Sequence, residues 1–166
     1  MAISQVVTNS IAPGAVVQSD IATGVAGTGP AFYANTTYSA TIPNNATTPF
    51  TTYSTVVFDT ASAFSTSTGK FQPTVAGYYQ ITAIADWGSN GVFAASSICA
   101  AIMKNGSTYV QAGFATSAAS FSAASVTGVV YLNGSTDYVQ AGGFQNSGNS
   151  TTSVRGYLSG ALVRSA

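Results

Sequence analysis

The side chains that could do chemistry in this chain are few and far apart. The acids are Asp20, Asp59, Asp86 and Asp137, the bases are Lys70, Lys104, Arg155 and Arg164, and there is no His and no Glu. Acid–base catalysis near neutral pH usually rests on His, or on a Glu or Lys with a tuned pKa. A Ser–His–Asp or Cys–His site cannot be assembled from this inventory. Glycoside hydrolysis needs two carboxyls about 5–9 Å apart. Asp59 and Asp86 could supply them only if the fold brings them together, which their spacing does not require. The His/Cys clusters of transition-metal sites are missing, as are a DxDxDG-type calcium loop and any Walker or Rossmann glycine pattern. Cys99, in the run ICAAIM, has no basic neighbour to lower its pKa and reads as a small buried hydrophobe. The expectation is a protein that is not an enzyme, binds no cofactor or metal, and works by presenting surfaces.

Charge scarcity extends the exclusions. Only 5% of residues are charged, against about 25% in typical soluble domains. Without a basic patch, the counterion release that drives nucleic-acid binding is absent, so no nucleic-acid partner is expected. No apolar run approaches the ~18–20 residues of a membrane span, and no membrane partner is expected either. Helical surfaces draw their propensity and solvation from Glu, Lys and Arg. A surface of Ser, Thr, Asn and Gly suits exposed strands and loops instead.

The elements that must position these residues therefore read as β-strands. From Phe32 onward, apolar runs such as STVVFDT, GYYQITAIADW, SSICAAIMK, SVTGVVYL and SVRGYLSGALV alternate with Gly and Asn clusters. In one of them Tyr79, Ile81 and Ala83 fall on one face, with Gln80 and Thr82 on the other. Short strands with frequent turn signals indicate an all-β antiparallel sandwich or barrel. Asn105-Gly106 and Asn133-Gly134 each lie between apolar runs, and both predict hairpins with type I′ turns. The segments that follow nearly repeat, NGSTYVQAGF and NGSTDYVQAGGF. Residues 1–30 differ: IAPGAVVQSDIATGVAGTGP is punctuated by Pro and Gly and carries no aromatic. They read as an extended arm ahead of a head domain over 31–166. Such an arm buries little alone, so it either packs on a partner or acts as a linker.

The stretch FSTSTGKFQPTVAGYYQITAIADW resembles the globular head of the complement q subunit, a family sharing the tumour-necrosis-factor-like (TNF-like) jelly roll. The family's spacing of an aromatic, a Phe and Gly-x-Tyr falls on Phe64, Phe71, Gly77 and Tyr79. Phe58 precedes that motif, and LSGALV, with Gly160, matches the closing strand. The resemblance covers residues 31–166 and implies a jelly-roll head, three of them around an axis as a homotrimer. Phe58, Phe64, Phe71, Gly77, Tyr79 and Gly160 then form the fold motif and core. Two departures stand out: the loop between Phe58 and Phe64 is short, and the acidic cluster that binds calcium in some members has no counterpart.

The arm is similar to segments that precede head domains in tailed-phage appendage proteins, which assigns attachment to Ile11, Pro13, Val16, Val17 and Ile21. The first residues, MAISQVVTNS, have neither the basic nor the apolar region of a secretory signal. The expected location is a virion, assembled in the host cytoplasm. The expected function is a trimeric phage capsid decoration or cement protein, whose partners are its own copies and a major capsid or other virion protein. The alternative is the receptor- or glycan-binding tip of a fibre. For that role Trp87, in ADWGSNG, is either a lid on the core or a platform for a host surface glycan.

Overall fold

The computed structural model describes residues 28–88, 97–116, 122–148 and 151–166. The attachment positions Ile11, Pro13, Val16, Val17 and Ile21 lie outside the described residues. All regular structure among those described is β. In chain order the strands are β1 (Ala31–Asn35), β2 (Ala40–Ile42), β3 (Thr48–Pro49), β4 (Thr55–Asp59), β5 (Phe64–Ser65), β6 (Lys70–Phe71), β7 (Gly77–Gly88), β8 (Ser97–Lys104), β9 (Ser107–Thr116), β10 (Ser122–Leu132), β11 (Val139–Gln145) and β12 (Thr151–Ser165).

They form two sheets. The first runs β10-β7-β12-β1-β4, with β2 also on β12, and the second runs β5-β6-β11-β8-β9, with β3 also on β11. The strand ladders within both sheets are antiparallel. Packed face to face they make a jelly-roll sandwich, the expected architecture. The period-2 pattern of β7 explains its place inside the first sheet, between β10 and β12. Tyr79, Ile81, Ala83, Ala85 and Trp87 all point inward and are buried, while Tyr78 and Gln80 face out.

Aromatics weld the sheets together. Phe32 of β1 stacks on Phe71 of β6 with ring centroids 4.0 Å apart, and Phe71 meets Tyr79 edge-on at 5.6 Å. The buried Tyr79 hydroxyl donates to the Val75 carbonyl at 2.7 Å, so its burial leaves no polar group stranded. Phe64 is half-buried and stacks on Phe32 at 5.4 Å. Gly77 is required by close approach: a Cβ there would sit 2.5 Å from the Arg164 carbonyl oxygen. Gly160 pairs with Ile81 on one side and with Phe32 on the other.

Two expectations need correction, and the open choice for Trp87 is decided in favour of the core. Phe58 is not core: it lies on β4, the edge strand, and its ring is 47% exposed. Opposite Tyr33, it shares that residue's outward side. Trp87 is 1% exposed, because it is the last inward position of the β7 alternation, and it cannot serve as a platform for a sugar. Asn133-Gly134 does not close a hairpin. The strands on either side, β10 and β11, belong to different sheets. The Asn133 side-chain oxygen instead accepts from the N–H groups of Ser135, Thr136 and Asp137, holding a loop that crosses between the layers. Asn105-Gly106 does close the β8–β9 hairpin, with φ of 51° and 81° as a type I′ turn demands.

Candidate interaction surface

The described aspartates, Asp59, Asp86 and Asp137, are occupied structurally. Asp59 ends β4 and accepts from the N–H groups of Ala61 and Phe64. Asp137 forms an ion pair with Lys104 at 2.9 Å and accepts from the Asn105 amide at 2.8 Å. The Asn105 amide and the Lys104 ammonium hold the Asp137 carboxyl below its ordinary value. Asp59 and Asp86 do not converge. The row through Asp59 crosses Phe32 and Gly160 and reaches β7 at Ile81, about 17 Å along the strand from Asp86. Cys99 is buried in β8. No group of three or more His, Cys, Asp or Glu gathers among the described residues.

What the fold does assemble is a broad face on the outside of the first sheet. Strands covered on one side alone would show polar residues on the other, yet this face is rich in rings and aliphatics. Tyr78 of β7 lies opposite Tyr131 of β10, rings 5.4 Å apart. Gln80 lies between Val129 and Ala161, and Thr82 between Thr127 and Ser159. Val129 is 53% exposed, and Tyr78, Tyr131 and Val163 are exposed beside it. Together with Arg164, Ser165 and Ala166 these residues line an open recess of about 680 Å³. At the far corner of the same sheet stands Phe58. Contiguous apolar exposure of this kind marks an association surface.

The opposite end of the face is polar but neutralised. Arg155 and Asp86 pair at 2.9 Å, and the guanidinium lies over the rings of Tyr38 and Tyr157, 4.4 and 4.8 Å from their centroids. Tyr38 donates its hydroxyl to Asp86 at 2.7 Å, and Tyr157 stacks on Tyr33. Burial opposes the Asp86 charge. Hydrogen bonds from Tyr38, the Gly88 N–H and Arg155 outweigh it and hold the carboxyl below its ordinary value. The Tyr38 hydroxyl is pushed up, chiefly by that same hydrogen bond. Apart from Arg164, the described residues of the face thus offer a partner no unpaired charge and much ring surface.

Of the residues expected to matter, the structure gathers Phe64, Phe71 and Tyr79 into the core, with Gly77 and Gly160 in the ladders beside it. The surface residues Tyr78, Val129, Tyr131 and Val163 were not expected. Their signal was an apolar residue on the outward phase of strands whose inward phase was already apolar.

No curated protein matches the sequence. Among solved structures, the globular domain of the zebrafish complement 1qA protein superposes with a TM-score of 0.64 at 19% identity, covering 82% of this chain and 98% of that one. The PRD1 vertex protein P5 superposes with a TM-score of 0.60 at 18% identity, covering 81% and 97%. The Eiger TNF of S. frugiperda reaches 0.51 at 11% identity, covering 82% and 95%. These identities speak to the fold alone. The sequence itself matches the family model of the C1q domain across residues 31–163, and with that span the chain belongs to the C1q domain family.

Proposed function

We propose that this chain is a non-catalytic virion structural protein. Three copies associate as a homotrimer, bind a phage capsid through the N-terminal arm, and display the jelly-roll heads as a decoration or cement layer. The observation that carries the reading is the ring-rich outer face of β7, β10 and β12, on which Arg164 is the one unpaired charge among the described residues. It gives copies of the head a surface of rings and aliphatics to bury against one another, with few ions to desolvate. Likeness in fold to a phage vertex protein supports the virion setting. With three lysines and arginines engaged with aromatic rings or carboxylates, nothing favours a nucleic-acid partner. No helix among the described residues is long and apolar enough to cross a membrane. The fibre-tip alternative loses its chief support, because Trp87 is buried.

Sedimentation of the purified protein tests the assembly, and the expected mass is that of three chains. Tyr131→Lys places a charge in the recess and is expected to yield folded monomer. A wild-type monomer at micromolar concentration would refute the trimer. Electron microscopy of intact particles tests the role. Density distributed over the capsid supports decoration, and a few copies confined to one tail position would favour the fibre tip.

A further inference from the structure

The edge strand β10 needs a protection that its own residues do not provide. Native edges are usually blunted with lysine, proline or an inward charge, since free N–H and C=O groups template further pairing. The 11 residues of β10, SAASVTGVVYL, include no charge and no proline. Their valines, threonine and tyrosine favour an extended neighbour.

The protection comes from β9, the edge of the second sheet, which runs beside β10 across the open side of the sandwich. Its register against β8 breaks twice. Ile102 pairs with Val110 and Met103 with Thr108, so Tyr109 is an extra residue. Ala100 pairs with Ala112 and Ile98 with Ala115, so Gly113 and Phe114 share the place opposite Cys99. Such bulges bend a strand and re-aim its side chains. Here both lie where β9 meets β10. The Tyr109 hydroxyl donates to the Val129 carbonyl at 3.2 Å. Gly113, at a φ of 87°, comes so near that a Cβ on it would stand 3.0 Å from the Ser125 carbonyl oxygen. Just ahead of the β8–β9 turn, Lys104 donates to the Tyr131 carbonyl at 2.8 Å and is held there by Asp137.

Ser125, Val129 and Tyr131 share one phase of β10. Alternate residues of an antiparallel strand turn their N–H and C=O groups away from the paired neighbour. Among the described residues β10 is laddered to β7 alone, so a phase whose carbonyls accept from β8 and β9 side chains is the free edge. A further strand would need the Val129 and Tyr131 carbonyls as acceptors, and both are taken.

We propose that Tyr109 and Lys104 guard this edge, holding shut a site at which a second copy would otherwise add its own β10. The two strands would pair antiparallel about a twofold axis and join two first sheets into one. The proposal goes beyond the virion reading and does not depend on it, since it concerns what the head is kept from doing.

Sedimentation of the double variant Tyr109→Phe/Lys104→Met tests it, beside the wild type at matched concentrations. The changes keep the ring and the aliphatic stem and delete the two donors, and Trp87 emission reports whether the head stays folded. The variant is expected to gain mass with concentration where the wild type keeps one mass. Amide exchange at Val129 and Tyr131 should slow by about tenfold or more in the associated variant. Exchange at Val130, whose N–H turns towards β7, should match the wild type. A variant that keeps the wild-type mass would overturn the proposal. So would association that leaves Val129 and Tyr131 unprotected, because apolar contact elsewhere would then be its cause. If the double variant does not fold, Tyr109→Phe alone is judged by the same two readings.

Discussion

Arg155 and Asp86 stand directly opposite each other on β12 and β7, among the described residues the only ladder position on the outer face where a cation meets a carboxylate. The pair is reinforced from both sides. Tyr38 and the Gly88 N–H donate to the carboxylate, and two tyrosine rings flank the guanidinium. Exposed ion pairs are worth little, but this one is partly covered and hydrogen-bonded. Asp86→Asn is expected to lower the unfolding free energy by about 1 kcal/mol, read from the denaturation midpoint. An unchanged midpoint would show that the pair has no net value.

The same groups set the pH response. Asp86 and Asp137 have folded-state pKa values below the ordinary 3.8. Their contribution is therefore full above the unfolded value and is lost as pH falls through the folded values, below about pH 4. At the other extreme, burial pushes the Tyr79 hydroxyl up to about 12 from 10. Its contribution is full below pH 10 and is lost as pH climbs towards 12. With no His or Glu in the sequence, stability should be flat from about pH 5 to pH 9. Thermal midpoints across that range check this, and a shift of tens of degrees would contradict it.

How much of this was legible beforehand depends on how local the cause was. The alternation that buries Tyr79, Ile81 and Ala83 lies within one strand, and so does the turn chemistry of Asn105-Gly106. Both could be read from neighbouring residues. Asn133-Gly134 carries the same dipeptide, yet it crosses between sheets. What differs is the ladder each flanking strand joins, together with Asp137, one of two extra residues in the second near-repeat, which ties the loop to Lys104 and Asn105. Phe58 was placed in the core by the family resemblance, but an edge position is set by which strands arrive later in the chain. The Asp86–Arg155 pair joins residues 69 apart through the β7–β12 register, which no local pattern encodes. The recess around Tyr78 and Tyr131 was half-legible, since both rings sit on the outward phase of readable strands.

Trp87 offers a direct check of its placement in the core. As the sole tryptophan and 1% exposed, it should emit at blue-shifted wavelengths in the native state and shift red on unfolding. Trp87→Ala removes one of the largest buried side chains and should cost about 3–5 kcal/mol. The loss would appear as global destabilisation. A fully stable variant that lost only glycan binding would restore the platform reading.

Tyr53 carries the opposite expectation. Its ring is buried, edge-on to Phe64 at 4.8 Å, while its hydroxyl has no hydrogen-bond partner among the described residues. Burying a hydroxyl unpaired costs roughly 1–3 kcal/mol, so Tyr53→Phe keeps the packing and removes the cost. The variant should be more stable than wild type by about 1 kcal/mol at neutral pH. Burial also drives the Tyr53 hydroxyl well above its ordinary 10. In the wild type the unfolded chain ionises above pH 10 while the folded one does not, which erodes stability there. Phenylalanine has nothing to ionise, so the advantage of the variant should widen as pH rises past 10. Paired denaturant titrations at pH 7 and pH 11 measure both effects. A variant less stable than wild type at pH 7 would mean that the hydroxyl is satisfied in solution, for instance by a bound water.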